Sequence, residues 1–119
     1  MSKPFKPSGY NSVSPYFIVK GAQRFIDLMK TVFDAKELRR FDNADGTIMH
    51  AEIQIDDSVI MLGDASDRWP PVPVVMHVYV QNVEETFQKA VDAGCGIVEK
   101  PTVKEGDPDK RGTFKDFWD

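Results

Sequence analysis

Two stretches of the chain carry the same run of signals, a short apolar strand pattern leading into an amphipathic helix, at an offset of about 60 residues. Laying Val19 on Val80 brings Tyr16 onto His77 and Ile26 onto Phe87. The offset is half of a 119-residue chain, so the sequence holds a degenerate internal duplication. Two copies cannot make a solenoid, which needs at least three stacked repeats to bury its faces. They must close one shared core instead. An α+β domain of paired modules follows, at a length that buries enough apolar surface to fold without disulfides or metal staples.

The local patterns fill in this frame. Residues 1–12, with Pro4, Pro7, Ser8 and Gly9, read as a flexible arm. Val13 to Val19 has strand-type side chains, and after Lys20-Gly21 the residues Ala22, Phe25, Ile26, Met29, Val32 and Phe33 form one helical stripe. Lys36 to Phe41 is a short strand, and the turn formers Asp42 to Gly46 make a hairpin loop. From Thr47 the alternation puts Met49, Ala51, Ile53 and Ile55 on one face and His50, Glu52 and Gln54 on the other. Ser58 to Leu62 returns across Asp56-Asp57, a two-residue hairpin turn. Arg68 to Pro73 breaks regular structure and separates a first module (13–67) from a second (74–119). There Val74 to Val80 repeats the strand and Asn82 to Ala93 the helix, with Asn82 and Glu85 as a capping box and Gly94 as the left-handed cap. Ile97 to Lys100 and Arg111 to Phe117 are later strands, separated by Pro101 to Lys110.

Composition excludes several partners. A net charge of −4 without a Lys/Arg cluster gives no footprint for nucleic acid or for an anionic membrane surface. No run approaches the roughly 18 apolar residues of a membrane span. The lone Cys95 has no partner for a bridge and the leader lacks a secretory apolar stretch, so a cytoplasmic location is expected. Cys95 also lacks a nearby basic group and reads as structural. There is no phosphate-cradling glycine loop, nucleophile elbow or metal-type Cys pair.

The segments Ser14 to Ala22, Met49-His50-Ala51-Glu52, Asp57 to Leu62, and Val78-Tyr79-Val80 leading into Val83-Glu84 together resemble the glyoxalase/bleomycin-resistance/dioxygenase (vicinal oxygen chelate) superfamily, its PhnB-like branch in particular. The resemblance covers most of the chain from Val13 onward. It implies two βαβββ modules whose strands curve around a cavity, and a divalent metal held by four side chains. Carried over position by position, the ligands fall on Ser14, Met61 and Val75, none of them a typical ligand, and the fourth on a last strand beyond Asp119. That strand is expected to be missing from this chain. Related cavities are often completed across subunits, and an uncovered edge favours pairing as well, so a homodimer is expected.

Pairing Ile55 with Ser58 sets Glu52 opposite Met61, with His50 and Gln54 on the same face. The duplication puts Tyr16 and His77 on equivalent faces, and the resemblance, with Ser14, Met61 and Val75 on the ligand side, implies that His50, Glu52, Tyr16 and His77 look into the cavity. A cluster of His50, Glu52, His77, Tyr16, Gln54 and Met61 is the candidate ligand lining. The plain alternative for both histidines is a half-buried ring satisfied within the sheet, whereas an inward carboxylate such as Glu52 needs a partner. Trp69 is expected to pack over the module junction, Trp118 is ambiguous, and Asp107 and Arg111 lie in a charged loop near the cavity mouth. Two functions compete. The first is a small-molecule-binding protein of the bleomycin-resistance kind, with the family metal positions lost and no cofactor. The second is a metal-dependent isomerase, lyase or dioxygenase using His50, Glu52 and His77 as a non-standard set. Whether the protein is an enzyme stays open at this point. A third reading is a non-catalytic assembly module that uses its exposed sheet edge.

Overall fold

The structure is a computed structural model and describes residues 4–116. The first unit comprises β1 (Tyr16–Val19), α1 (Ala22–Phe33), β2 (Lys36–Asp42), β3 (Ile48–Ile55) and β4 (Ser58–Asp64). Its strands form one sheet in the order β1-β4-β3-β2, with β1 parallel to β4 and the other pairs antiparallel. The helical stripe buries Ala22, Phe25, Ile26, Leu28, Met29 and Val32. Ala51, Ile53 and Leu62 of the sheet join the same core at 0% exposure. Each large apolar side chain so buried contributes roughly 1.5–3 kcal/mol.

Two local devices hold this unit in register. The Asp56-Asp57 turn, with Asp56 at φ 51°, sets Ile55 opposite Ser58 and Glu52 opposite Met61, as the sequence predicts. Helix α1 starts after Gly21 at φ 71° with no side-chain cap of its own. Asp64 of β4 serves instead: its Oδ1 accepts the Ala22 N–H at 2.9 Å and its Oδ2 the Ile48 N–H at 2.7 Å. One carboxylate thus ties the helix N-terminus, where negative charge is favoured, to the start of β3.

The expected face of Met49 requires correction. Met49 is 56% exposed and Ile48, at 1%, takes the core position. The β2–β3 register shifts between Phe41 and Asp42, and a shift of one residue there moves every earlier side chain to the other face.

The second unit contains α2 (Val83–Asp92), β5 (Gly96–Val103) and β6 (Lys110–Lys115). Asn82 accepts the Glu85 N–H at 3.0 Å and Gly94 adopts φ 100°, both as its sequence signals. Helices α1 and α2 pack on each other and so join the units. Strand β5 runs through Pro101 to Val103, beyond its expected end. A register shift between Glu99 and Thr102 accommodates the proline in the ladder with β6. The expected end of the last strand at Phe117, and Trp118, lie outside the described residues.

The strand expected at Val74 to Val80 does not form. In the first unit β1 has a single ladder neighbour, β4, and the second unit has no counterpart of β4 among the described residues. The backbone of 74–80 therefore lacks a ladder partner. Its side-chain alternation persists: Met76 and Val78 pack on the core, whereas Val75 is 99% and Tyr79 74% exposed. Between this segment and β6 lies a groove of about 1110 Å³, walled in part by Phe17, Phe25, Met29, Phe33 and Phe87.

Candidate functional site

The sheet face turned away from α1 carries the polar cluster. Tyr16 on β1 stands opposite Met61 on β4, and Met61 opposite Glu52 on β3, so the three form one row across the sheet. His50 lies two residues before Glu52 on the same face. Glu52 is the one buried charged residue among those described, at 4% exposure. His50 Nε2 lies 2.8 Å from its Oε2, and the Tyr10 hydroxyl donates to its Oε1 at 2.5 Å. Arg39 Nε stands 3.8 Å from Oε1. Burial pushes the Glu52 carboxyl up, yet the hydrogen bonds from His50 and Tyr10 and the electrostatic attraction of His50 and Arg39 outweigh it. The net effect is a pKa below the ordinary glutamate value.

An ionised Glu52 only accepts, so the proton on the His50 side of this bond sits on Nε2. In the neutral imidazole Nδ1 is then free to accept from the Tyr16 hydroxyl, 3.2 Å away. Tyr16, whose phenol burial raises in pKa, stays protonated and presents its hydroxyl at a half-exposed position. A chain Tyr16–His50–Glu52–Tyr10 results, with the rings of Tyr16 and Phe41 at 5.5 and 6.2 Å from that of His50.

Gly63 shapes the floor. A Cβ there would lie 2.7 Å from the Met49 carbonyl oxygen and 3.2 Å from the Tyr16 hydroxyl. Only a residue without a side chain leaves room for both.

The other expected lining residues fall elsewhere. Gln54 shares the face but donates to the Asp56 carbonyl at 3.1 Å, closing the hairpin. Met61 is half-buried between Tyr16 and Glu52. His77 is exposed and packs edge-on against Tyr79 at 4.9 Å. Tyr79 in turn donates to Asp109 at 3.2 Å, and Arg111 binds Asp107 at 3.0 Å, so these residues form a separate group on the second unit. Among the described residues no three His, Cys, Asp or Glu groups converge as a metal site, and His77 is not brought to His50 and Glu52.

The three positions at which the resemblance leads to an expectation of metal ligands carry side chains that do not fit a divalent ion. Ser14 Oγ is buried without a partner, Met61 offers a thioether and Val75 a hydrocarbon that is 99% exposed. Divalent metals take several nitrogen, oxygen or thiolate donors, and one hydroxyl beside a thioether does not supply them.

Sequence reasoning missed Tyr10 and Asn11. The leader was expected to be a flexible arm, but Tyr10 reaches Glu52 and Asn11 Oδ1 accepts the Val59 N–H at 2.9 Å, ahead of the point where β1 begins. An aromatic near the start of a strand was the only signal. Trp69, expected to pack over the junction, is 57% exposed with the Arg68 guanidinium 5.8 Å from its ring. Cys95 is buried, and burial raises its thiol pKa, followed by the charge of Asp116. That fits a structural role.

Comparison with known proteins agrees with this architecture. The family model for the Glyoxalase/Bleomycin resistance protein/Dioxygenase superfamily matches residues 11–116. An uncharacterized protein of Mycobacterium bovis is 33% identical over 98 residues, which cover 73% of this chain and 64% of that protein. The chain thus spans less than two thirds of that relative's length. A PhnB protein from Bacillus cereus has a similar fold at 16% identity and TM-score 0.60, with 80% of this chain and 84% of that chain covered. A fosfomycin resistance protein, FosX, from Listeria monocytogenes does so at 16% identity and TM-score 0.61, covering 90% and 82%. With a sheet ordered β1-β4-β3-β2 and a family match over residues 11–116, the chain belongs to the Glyoxalase/Bleomycin resistance protein/Dioxygenase superfamily.

Proposed function

We propose that the chain is a small-molecule-binding protein of the glyoxalase/bleomycin-resistance type that works without metal at Ser14, Met61 and Val75. The open face of the first sheet is its binding surface. The observation that carries this reading is the state of Glu52, whose two carboxylate oxygens are already engaged by His50 and Tyr10. A carboxylate so occupied anchors hydrogen-bond donors and orients His50 and Tyr16 toward a ligand. Support for a small-molecule ligand comes from the superfamily, which includes bleomycin resistance proteins, and from the fosfomycin resistance protein among the structural neighbours. The protein acts as a homodimer in this reading, supported by the segment 74–80, which has no strand partner among the described residues and is open to pairing. A cytoplasmic location is supported by the single unpaired thiol. No helix among the described residues is long and apolar enough to cross a membrane.

Elemental analysis of protein purified with added Zn, Ni, Fe or Mn tests the reading. Substoichiometric metal, unchanged in His50→Ala and His77→Ala, is the expected result. Stoichiometric metal lost in both variants would overturn it in favour of a metal-dependent isomerase, lyase or dioxygenase.

A further inference from the structure

Tyr10 comes from the leader rather than from the sheet, yet it supplies the hydrogen bond to Glu52 Oε1. Its ring lies beneath the Arg39 guanidinium, 5.1 Å from the centroid. The environment of this one side chain therefore has three parts: a buried carboxylate that accepts from the hydroxyl, a histidine that holds the carboxylate's other oxygen, and a cation over the aromatic face. These parts define a ligand chemistry. An ammonium would meet Arg39, a carboxylic acid would meet Glu52, and an aliphatic alcohol would forgo the cation–π contact. A neutral aromatic ring bearing a hydroxyl satisfies all three.

The leader is held lightly enough to leave. Besides the Tyr10 contacts, its described polar bonds to the sheet include the Asn11 bond to the Val59 N–H, and Pro7 to Tyr10 closes only a local turn. Phe5 and Val13 on either side are 94% and 88% exposed. The segment forms no strand ladder. Its removal leaves Glu52 Oε1 without its hydrogen-bond donor, and such a group is costly until another donor replaces the first.

We infer that Glu52, His50 and Arg39 form a binding site for a phenolic ring, filled in this structure by the chain's own Tyr10, which competes with the external ligand. The inference rests on the binding reading above and names the ligand class for that same face. Because the ligand must displace the strap, its apparent affinity is reduced by the fraction of molecules in which the strap is closed.

The probe is p-cresol, with toluene as the ring without the hydroxyl, titrated into the full chain and followed by amide and imidazole NMR. Wild type binds p-cresol saturably with loss of the Val59 amide bond to Asn11, and binds toluene at least tenfold more weakly. Tyr10→Phe removes the competing hydroxyl and tightens p-cresol about tenfold, the scale of one hydrogen bond to a charged acceptor. Glu52→Gln weakens p-cresol at least tenfold and leaves toluene unchanged; should that variant not fold, Tyr10→Phe decides alone. Equal binding of p-cresol and toluene overturns the inference. So does p-cresol binding to Tyr10→Ala but not to wild type or Tyr10→Phe, because the ligand then only fills a hole made by truncation. If p-cresol fails while other small molecules shift His50 and Tyr16, the phenol site falls and the binding reading stands. If nothing shifts them, both fall.

Discussion

Glu52 and Gly63 show how single residues set the open face. Burying a carboxylate disfavours its charged form, and here the partners reverse that penalty: His50 and Tyr10 donate to it and Arg39 adds positive charge. Its pKa in the folded state lies below its unfolded value, so its contribution to stability is complete above the ordinary glutamate range and is lost as pH falls through the depressed folded value. Urea unfolding of wild type and Glu52→Gln between pH 7 and pH 3 checks this. The wild type loses stability more steeply with acid, and parallel curves would show that Glu52 carries no such term. Gly63 acts by absence. In Gly63→Ala the new methyl meets the Met49 carbonyl and the Tyr16 hydroxyl, and such crowding costs about 1–3 kcal/mol. A lowered denaturation midpoint and a displaced Tyr16 ring signal are expected, and an unchanged midpoint would mean that β3 yields freely.

At the scale of elements, the first unit was legible and the second only in part. Stripe periodicity located α1, and the Asp56-Asp57 turn sufficed to set Glu52 opposite Met61. The exchange of Met49 for Ile48 in the core was not legible, because a bulge between Phe41 and Asp42 has no signature in apolar alternation. The role of Tyr10 was hidden for a different reason. Leader residues carry no periodic pattern, and their return to the sheet depends on an acceptor 42 residues away. Segment 74–80 has the side-chain alternation of a strand without its backbone ladder, since a ladder belongs to two segments and a pattern to one. Hydrogen exchange reads the difference: in dilute, monomeric protein the amides of 74–80 exchange much faster than those of β4, which is paired on both sides, and they gain protection as the homodimer forms. Equal protection in the monomer would mean that the segment is laddered within its own chain.

For the whole molecule, fold and chemistry separate. The family match over residues 11–116 places the chain in its superfamily, but a fold does not carry a site with it. The two histidines stand on different units, His50 beside Glu52 and His77 beside Tyr79. The molecule therefore offers two regions of different character. One is the polar face of the first sheet; the other is the apolar groove of about 1110 Å³ between 74–80 and β6. The account assigns ligand binding to the first. Chemical-shift mapping of the full chain against a small-molecule library tests that assignment most directly. The largest shifts are predicted at Tyr16, His50, Glu52 and Met61, and shifts confined to His77, Tyr79 and residues 110–115 would contradict it.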